Sequence, residues 1–264
     1  MQQQIASFAR VCAYDRAGMG WSETGPLPRD GEQVVNELHT LLQNAGVPAP
    51  YVLVGASRGG QYARLYAAAF PDEVSGMVLV DAEPEEMRTR SVLAQQLMAQ
   101  NQAVFSTMGL LARLGVFRFL FALGGTESGV PTLPCLPSAT PHLPAEQHPA
   151  YLAVEGQPPC FRTVVAEDAA SDGREAQVRA AGSLGDMPLV VLTHGLPTAP
   201  SGAANAEAAD EYEAVWQELQ AEMAALSSNS VLVVADDSGH DIMFDQPELV
   251  VESVRRVVTG NVAE

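Results

Sequence analysis

The chain contains no lysine at all: its 14 basic residues are arginines, set against 32 acidic ones, for a net charge of −18. Such a surface repels nucleic acid and anionic membranes, and no clustered basic patch offsets it. Cysteine is scarce too. Cys12, Cys135 and Cys160 are too few and too scattered for a disulfide framework or a zinc site. Cys135 and Cys160 could pair and leave one over, but free, partly buried thiols are the expectation. Long apolar runs are also missing. The most apolar stretch, Gly109 to Leu123, holds 15 residues with Arg113 and Arg118 inside it, whereas a membrane span needs roughly 20. Met1 to Tyr14 lacks a charged start followed by an apolar core, so a cytoplasmic location is the default.

What remains is ordinary for a globular enzyme. The hydrophobic fraction is 47%, and 264 residues suffice for one domain with an inserted part. Short apolar runs alternate with helical patterns. Val11–Tyr14, Tyr51–Val54, Val74–Val80, Leu189–Thr193 and Val231–Ala235 read as buried strands. Gly31–Ala45, Gln61–Phe70, Asp210–Leu226 and Pro247–Val258 carry apolar residues at helical spacing. Strands alternating with helices imply a mostly parallel sheet covered on both faces, an α/β fold.

The alternation stops between Ala82 and Gly185. Glu83–Leu123 and Glu167–Gly182 read as helical, while eight prolines between Ser128 and Pro159 predict loop with at most short turns. Residues 1–82 and 186–264 are therefore expected to form the core, and 83–185 a helical lid, since long insertions in compact domains are usually functional. Leu110, Leu114, Phe117 and Phe121 would give one apolar helix face, either core or the wall of an acyl pocket.

The chemistry concentrates in Gly55-Ala-Ser57-Arg-Gly59. A β-branched run breaks into Gly-x-Ser-x-Gly and passes directly into an alanine-rich helix, which puts Ser57 on a sharp strand-to-helix turn. A serine hydroxyl is a weak nucleophile unless it is exposed, aimed and served by a base. Gly55 and Gly59 are expected to let the two backbone arms approach closely.

Together with the Asp15-Arg-Ala-Gly-Met-Gly-Trp-Ser22 turn, the Leu79-Val-Asp81 strand end and the late Ser238-Gly-His240, this elbow resembles the α/β-hydrolase superfamily over residues 11 to 258, the lid excepted. The resemblance implies a triad running nucleophile, acid, histidine along the chain. Ser57 is then the nucleophile, and His240, after the last strand, the base. His39, His142, His148 and His194 are the rivals. The family's usual acid position, just after Leu189–Thr193, is empty of carboxylates from His194 to Ala206. Asp81, at the end of the preceding strand, is the choice, with Glu83 and Asp210 as alternates.

The Arg58 N–H would be one oxyanion donor. The other normally comes from a His-Gly loop after an earlier strand, which has no counterpart here, so the fold is expected to be incomplete at its N-terminal side. The Arg58 side chain is expected to bind an anionic substrate group or, more simply, an acidic lid residue such as Glu83. The implied activity is hydrolysis of a small, largely apolar carboxylic ester through a Ser57 acyl-enzyme, with amides and lactones also open. No metal or organic cofactor, nucleic-acid partner or membrane span is implied, and the oligomeric state is undetermined. The rival reading is a non-catalytic relic of the fold that binds a ligand or acts as a scaffold.

Overall fold

A computed structural model describes residues 1–122, 135, 143–154, 157–198 and 205–262. In chain order the helices are α1 (Gln2–Ile5), α2 (Gly31–Asn44), α3 (Arg58–Ala69), α4 (Met87–Arg90), α5 (Val92–Arg113), α6 (Val116–Ala122), α7 (His148–Val154), α8 (Pro158–Ala169), α9 (Ser171–Ala181), α10 (Ala206–Ala224), α11 (Ile242–Asp245) and α12 (Pro247–Thr259). The strands are β1 (Tyr51–Ala56), β2 (Val74–Val80), β3 (Leu189–His194) and β4 (Ser230–Ala235). They form one parallel sheet in the order β1-β2-β3-β4. The chain belongs to the α/β class, as its alternating pattern implies.

Period-two side-chain direction divides the core into two. Met77, Leu79, Leu189 and Val191 point to one face, where they meet Val35 of α2, Leu65 and Tyr66 of α3 and Met223 of α10. Val78, Val80, Val190 and Leu192 point to the other and meet Val250, Val254 and Val257 of α12. Both central strands thus bury apolar side chains on both faces, over Met77–Val80 and Leu189–Leu192. Parallel strands all end at the same edge of the sheet, so Ser57, Asp81, His194 and the loop carrying His240 are delivered side by side.

Val11–Tyr14 is not a strand. Its apolar sequence suits one, but a strand exists only where a neighbour completes its ladder, and no described strand lies beside it. Among the described residues β1 accordingly pairs with β2 alone, and Val54 is half exposed.

The insertion differs in three respects from the sequence reading. Part of the proline-rich stretch is helical, because α7 forms at His148–Val154 and Pro158 opens α8, where proline's missing N–H costs nothing. The apolar stripe is broken between Leu110 and Phe117, and the side chain of Phe121 lies outside the described residues. Leu114 caps α5 and Gly115 takes a positive φ of 76°, which reorients α6. Phe117 is buried while Leu110 and Leu114 are exposed. Finally, Cys135 and Cys160 are joined in a disulfide, their Cα atoms 5.7 Å apart, so only Cys12 is a free thiol. Phe105, Phe117 and Phe161 pack around that bond as a separate cluster. α9, by contrast, buries Val178 in the main core against α3.

Candidate active site

Ser57 adopts φ 49° and ψ −125°, a backbone conformation that a side chain rarely tolerates. The neighbourhood holds it there. Its N–H donates to Val80 O at 3.1 Å, and its carbonyl accepts from Gly60 N at 3.0 Å and Glu83 N at 2.9 Å. A Cβ on Gly55 would stand 2.5 Å from Gly59 O, so the elbow requires glycine there. Gly59 itself is different: a Cβ would meet nothing within 4 Å, and the second obligatory small residue is Gly60, 2.3 Å from Ala82 Cβ on the same test. Ser57 is the N-cap of α3 but makes no side-chain capping bond, and its Oγ hydrogen-bonds to no described residue. The Arg58 N–H opens α3 and is one of the donors with no intrahelical acceptor.

Asp81 is also at positive φ, 42°, and is fully buried. Five donors converge on its carboxylate. Oδ1 accepts from Trp216 Nε1 at 3.0 Å, His194 N at 3.2 Å and Thr193 Oγ1 at 3.4 Å. Oδ2 faces His240 Nδ1 at 2.6 Å and His194 Nδ1 at 2.8 Å. Burial works against its charge, but the bonds from the two histidines and their charge outweigh it and bring the carboxyl down to about 2.

His240 stands in the loop between β4 and α11, its ring edge-on to Trp216 at 5.9 Å and 85°. Its side chain is 41% exposed, so the Asp81 contact faces inward while part of the ring meets solvent. Burial lowers its proton affinity, yet the Asp81 bond and charge win and raise its pKa above the ordinary imidazole value.

His194 is fully buried between two carboxylates, with Nδ1 on Asp81 and Nε2 at 2.7 Å from Glu213 Oε1. Its pKa is raised as well, because Asp81 and Glu213 together overcome the desolvation. With both ring nitrogens facing carboxylates, the imidazolium is the form that satisfies both.

The remaining candidates fall elsewhere. Asp210 is exposed on α10. Glu83 lies 3.5 Å from Arg58 Nε. The Arg58 guanidinium also meets Asp168 at 2.7 Å and Glu167 at 3.4 Å, both on α8. These carboxylates, Glu83 and Asp168 foremost, raise its pKa despite burial. Arg58 is thus committed to the insertion and is not offered to a substrate anion. His39 stacks on Phe70 at 3.9 Å, His148 bonds Leu143 O, and His142 lies outside the described residues.

Sequence reading did not find Glu213 and Trp216, and held His194 only as a rival to His240. The available signals were a polar Thr193-His194 pair closing a buried strand and one of only two tryptophans on an otherwise acidic helix. Among the described residues no group of His, Cys, Asp or Glu is arranged to hold a metal ion, and no helix is long and apolar enough to cross a membrane.

Residues 2–253 match the model of the alpha/beta hydrolase family. An uncharacterized protein of Schizosaccharomyces pombe is 45% identical over 78 residues, which is 30% of this chain and only 15% of that protein. The fold is shared with a thermophilic esterase from Thermogutta terrifontis, at TM-score 0.59 and 21% identity over 99% of this chain and 84% of that one. It is equally shared with the epoxide hydrolase CorEH, at TM-score 0.59 and 17% identity over 93% and 80%. At these identities the likeness concerns architecture, which hosts more than one chemistry. The sheet order, the elbow and the family match over nearly the whole length together make this chain a member of the alpha/beta hydrolase family.

Proposed function

We propose that the protein is a serine hydrolase of small, largely apolar carboxylic esters, with Ser57 as nucleophile, His240 as general base and Asp81 as the acid. The observation that carries this reading is the 2.6 Å contact between His240 Nδ1 and Asp81 at the same sheet edge as the strained Ser57. Asp81 holds the proton on Nδ1, which leaves Nε2 as the basic nitrogen. Ser57 Oγ attacks the carbonyl carbon and gives its proton to His240 Nε2. The resulting oxyanion takes the Arg58 N–H, and collapse expels the alcohol with the proton from His240. Water, deprotonated by His240, then attacks the acyl-enzyme and the acid leaves. A serine at the elbow, in place of a carboxylate, favours acyl transfer over epoxide opening.

In this reading residues 83–185 act as the lid that selects the substrate, anchored to the elbow through Arg58. The partner is a small molecule, with no role for nucleic acid. The Cys135–Cys160 bond favours an oxidising compartment over the cytoplasmic default.

A second reading, a ligand-binding relic, draws on the unbonded Ser57 Oγ and the single oxyanion donor at the elbow. Apo hydroxyls often sit loosely and tighten on substrate, so catalysis is favoured. Labelling with a fluorophosphonate and peptide mass spectrometry tests it. An adduct on Ser57, lost in His240→Ala, supports the hydrolase, and a folded but unlabelled chain supports the relic.

A further inference from the structure

In so acidic a protein, arginines are normally claimed by carboxylates. Arg16, Arg58, Arg64, Arg88, Arg90 and Arg255 each hold one. Among the described residues Arg10, Arg113, Arg162, Arg174 and Arg179 pair with no carboxylate; Arg174 and Arg179 hold backbone carbonyls instead, and Arg113 on α5 and Arg162 on α8 stand close together. Both line one cavity of about 380 Å³ between the 24–29 loop and these two helices. A third guanidinium borders the same space. Arg29 is 2% exposed, and its Nη1 is taken by Glu37, but Nε and Nη2 are buried without a hydrogen-bond partner. Gly25 covers it without a side chain: a Cβ there would stand 2.4 Å from Arg29 Nη1.

The rest of the lining is of the opposite kind. Phe105 and Phe161 form the floor, while Leu27 and Leu110, 75% and 56% exposed, stand at the cavity with apolar surface turned to water. Three cationic groups and an apolar floor in one concavity match a ligand with two chemical halves. The volume falls within the roughly 300–1,000 Å³ of small-molecule sites. The cavity is lined by neither Ser57 nor His240.

We propose that this cavity binds an organic anion with an apolar body, a carboxylate or phosphate head on an alkyl chain or ring, at a site separate from the elbow. The head takes the Arg113 and Arg162 guanidiniums at the rim, where charge-assisted bonds are strong and anion geometry suits the planar fork. The body lies on Phe105 and Phe161. Nothing in this assignment depends on Ser57 chemistry.

The test is titration calorimetry of the intact chain with decanoate, decyl phosphate and decan-1-ol, each below its aggregation concentration. One or both acids are expected to bind at one site at least about ten-fold tighter than the alcohol, and more weakly as NaCl rises from about 50 to about 500 mM. The tighter acid identifies the head group. The Arg113→Gln/Arg162→Gln chain should lose about ten-fold or more in affinity, and Arg10→Gln, a control outside the cavity, should lose nothing. Gly109→Leu should abolish binding by filling the space; a Cβ at Gly109 meets only Phe161 Cβ, at 3.4 Å, so the helix accepts it. Equal affinity for the alcohol, no heat with either acid, or affinities unchanged in the double variant would each overturn the assignment.

Discussion

His194 and His240 share a single oxygen: both Nδ1 atoms face Asp81 Oδ2, at 2.8 and 2.6 Å. The half-exposed histidine therefore draws on a carboxylate already engaged by a buried one. Glu213, on the far side of His194, faces its Nε2 at 2.7 Å and favours the imidazolium form of that ring. The charges facing His194 are Asp81 from the end of β2, Glu213 from α10 and His240 from the last loop; Trp216 and Thr198 also lie against it.

The positive charge on His194 lowers the proton affinity of His240. In His194→Gln that repulsion is gone, and the acid limb of the pH–rate profile should move upward by about 0.5–1 unit. In the wild-type chain the limb should already lie above about 6.5, since His240 must be neutral to act and its pKa is raised. The rate of fluorophosphonate labelling against pH measures both. A merely structural His194 would lower the plateau and leave the midpoint in place.

Asp81→Asn keeps the shape of the residue and removes its charge. Nothing then fixes the Nδ1–H tautomer of His240, and labelling of Ser57 should slow by about 10³–10⁴-fold. Asp210→Asn, on the exposed side of α10, should label at the wild-type rate. A reversed ranking would move the acid to Asp210.

Stability should pass through a plateau in mild acid. Asp81 is depressed to about 2, so its contribution is present above about pH 4 and fades as pH falls toward 2. His194 and His240 are raised, so theirs is present below about 6.5 and fades as pH climbs through their folded values. Melting temperature against pH should fall on both sides of the interval from about 4 to 6.5. A curve rising steadily from pH 6 to 9 would contradict the raised histidines.

The elbow glycines should separate cleanly. Gly55→Ala drives a methyl into Gly59 O and should cost about 1–3 kcal/mol. Gly59→Ala meets open space on a helix and should change stability by no more than about 1 kcal/mol, in the stabilising direction. Denaturant unfolding of the two variants reads the contrast.

How much of this was legible follows from range. Ser57 and Asp81 announce themselves because each closes an apolar, β-branched run, and in a parallel sheet such ends gather at one edge. His240 was placed by the loop it occupies and by family resemblance. His194, Glu213 and Trp216 were not assigned to Asp81, because their meeting depends on how α10 crosses β3. The Cys135–Cys160 pairing was open to the sequence but not chosen, because 25 residues separate the two cysteines and nothing local brings them together. Val11–Tyr14 misled in the other direction, since its composition fits a strand and only its surroundings deny it one. The stripe through Leu110, Leu114 and Phe117 failed at Gly115, where one left-handed residue separates α5 from α6.

β1 carries the elbow at its tip yet, among the described residues, is bonded along one side only. Ser57 is therefore mounted as on a cantilever, with β2 as the wall and α3 as the brace. The three carboxylates gripping Arg58 act as a stay from the other direction, tying the free end to α8 and to Glu83. Stiffness at the nucleophile is thus borrowed from the insertion, and a change deep in α8 would be felt at Ser57 without touching it.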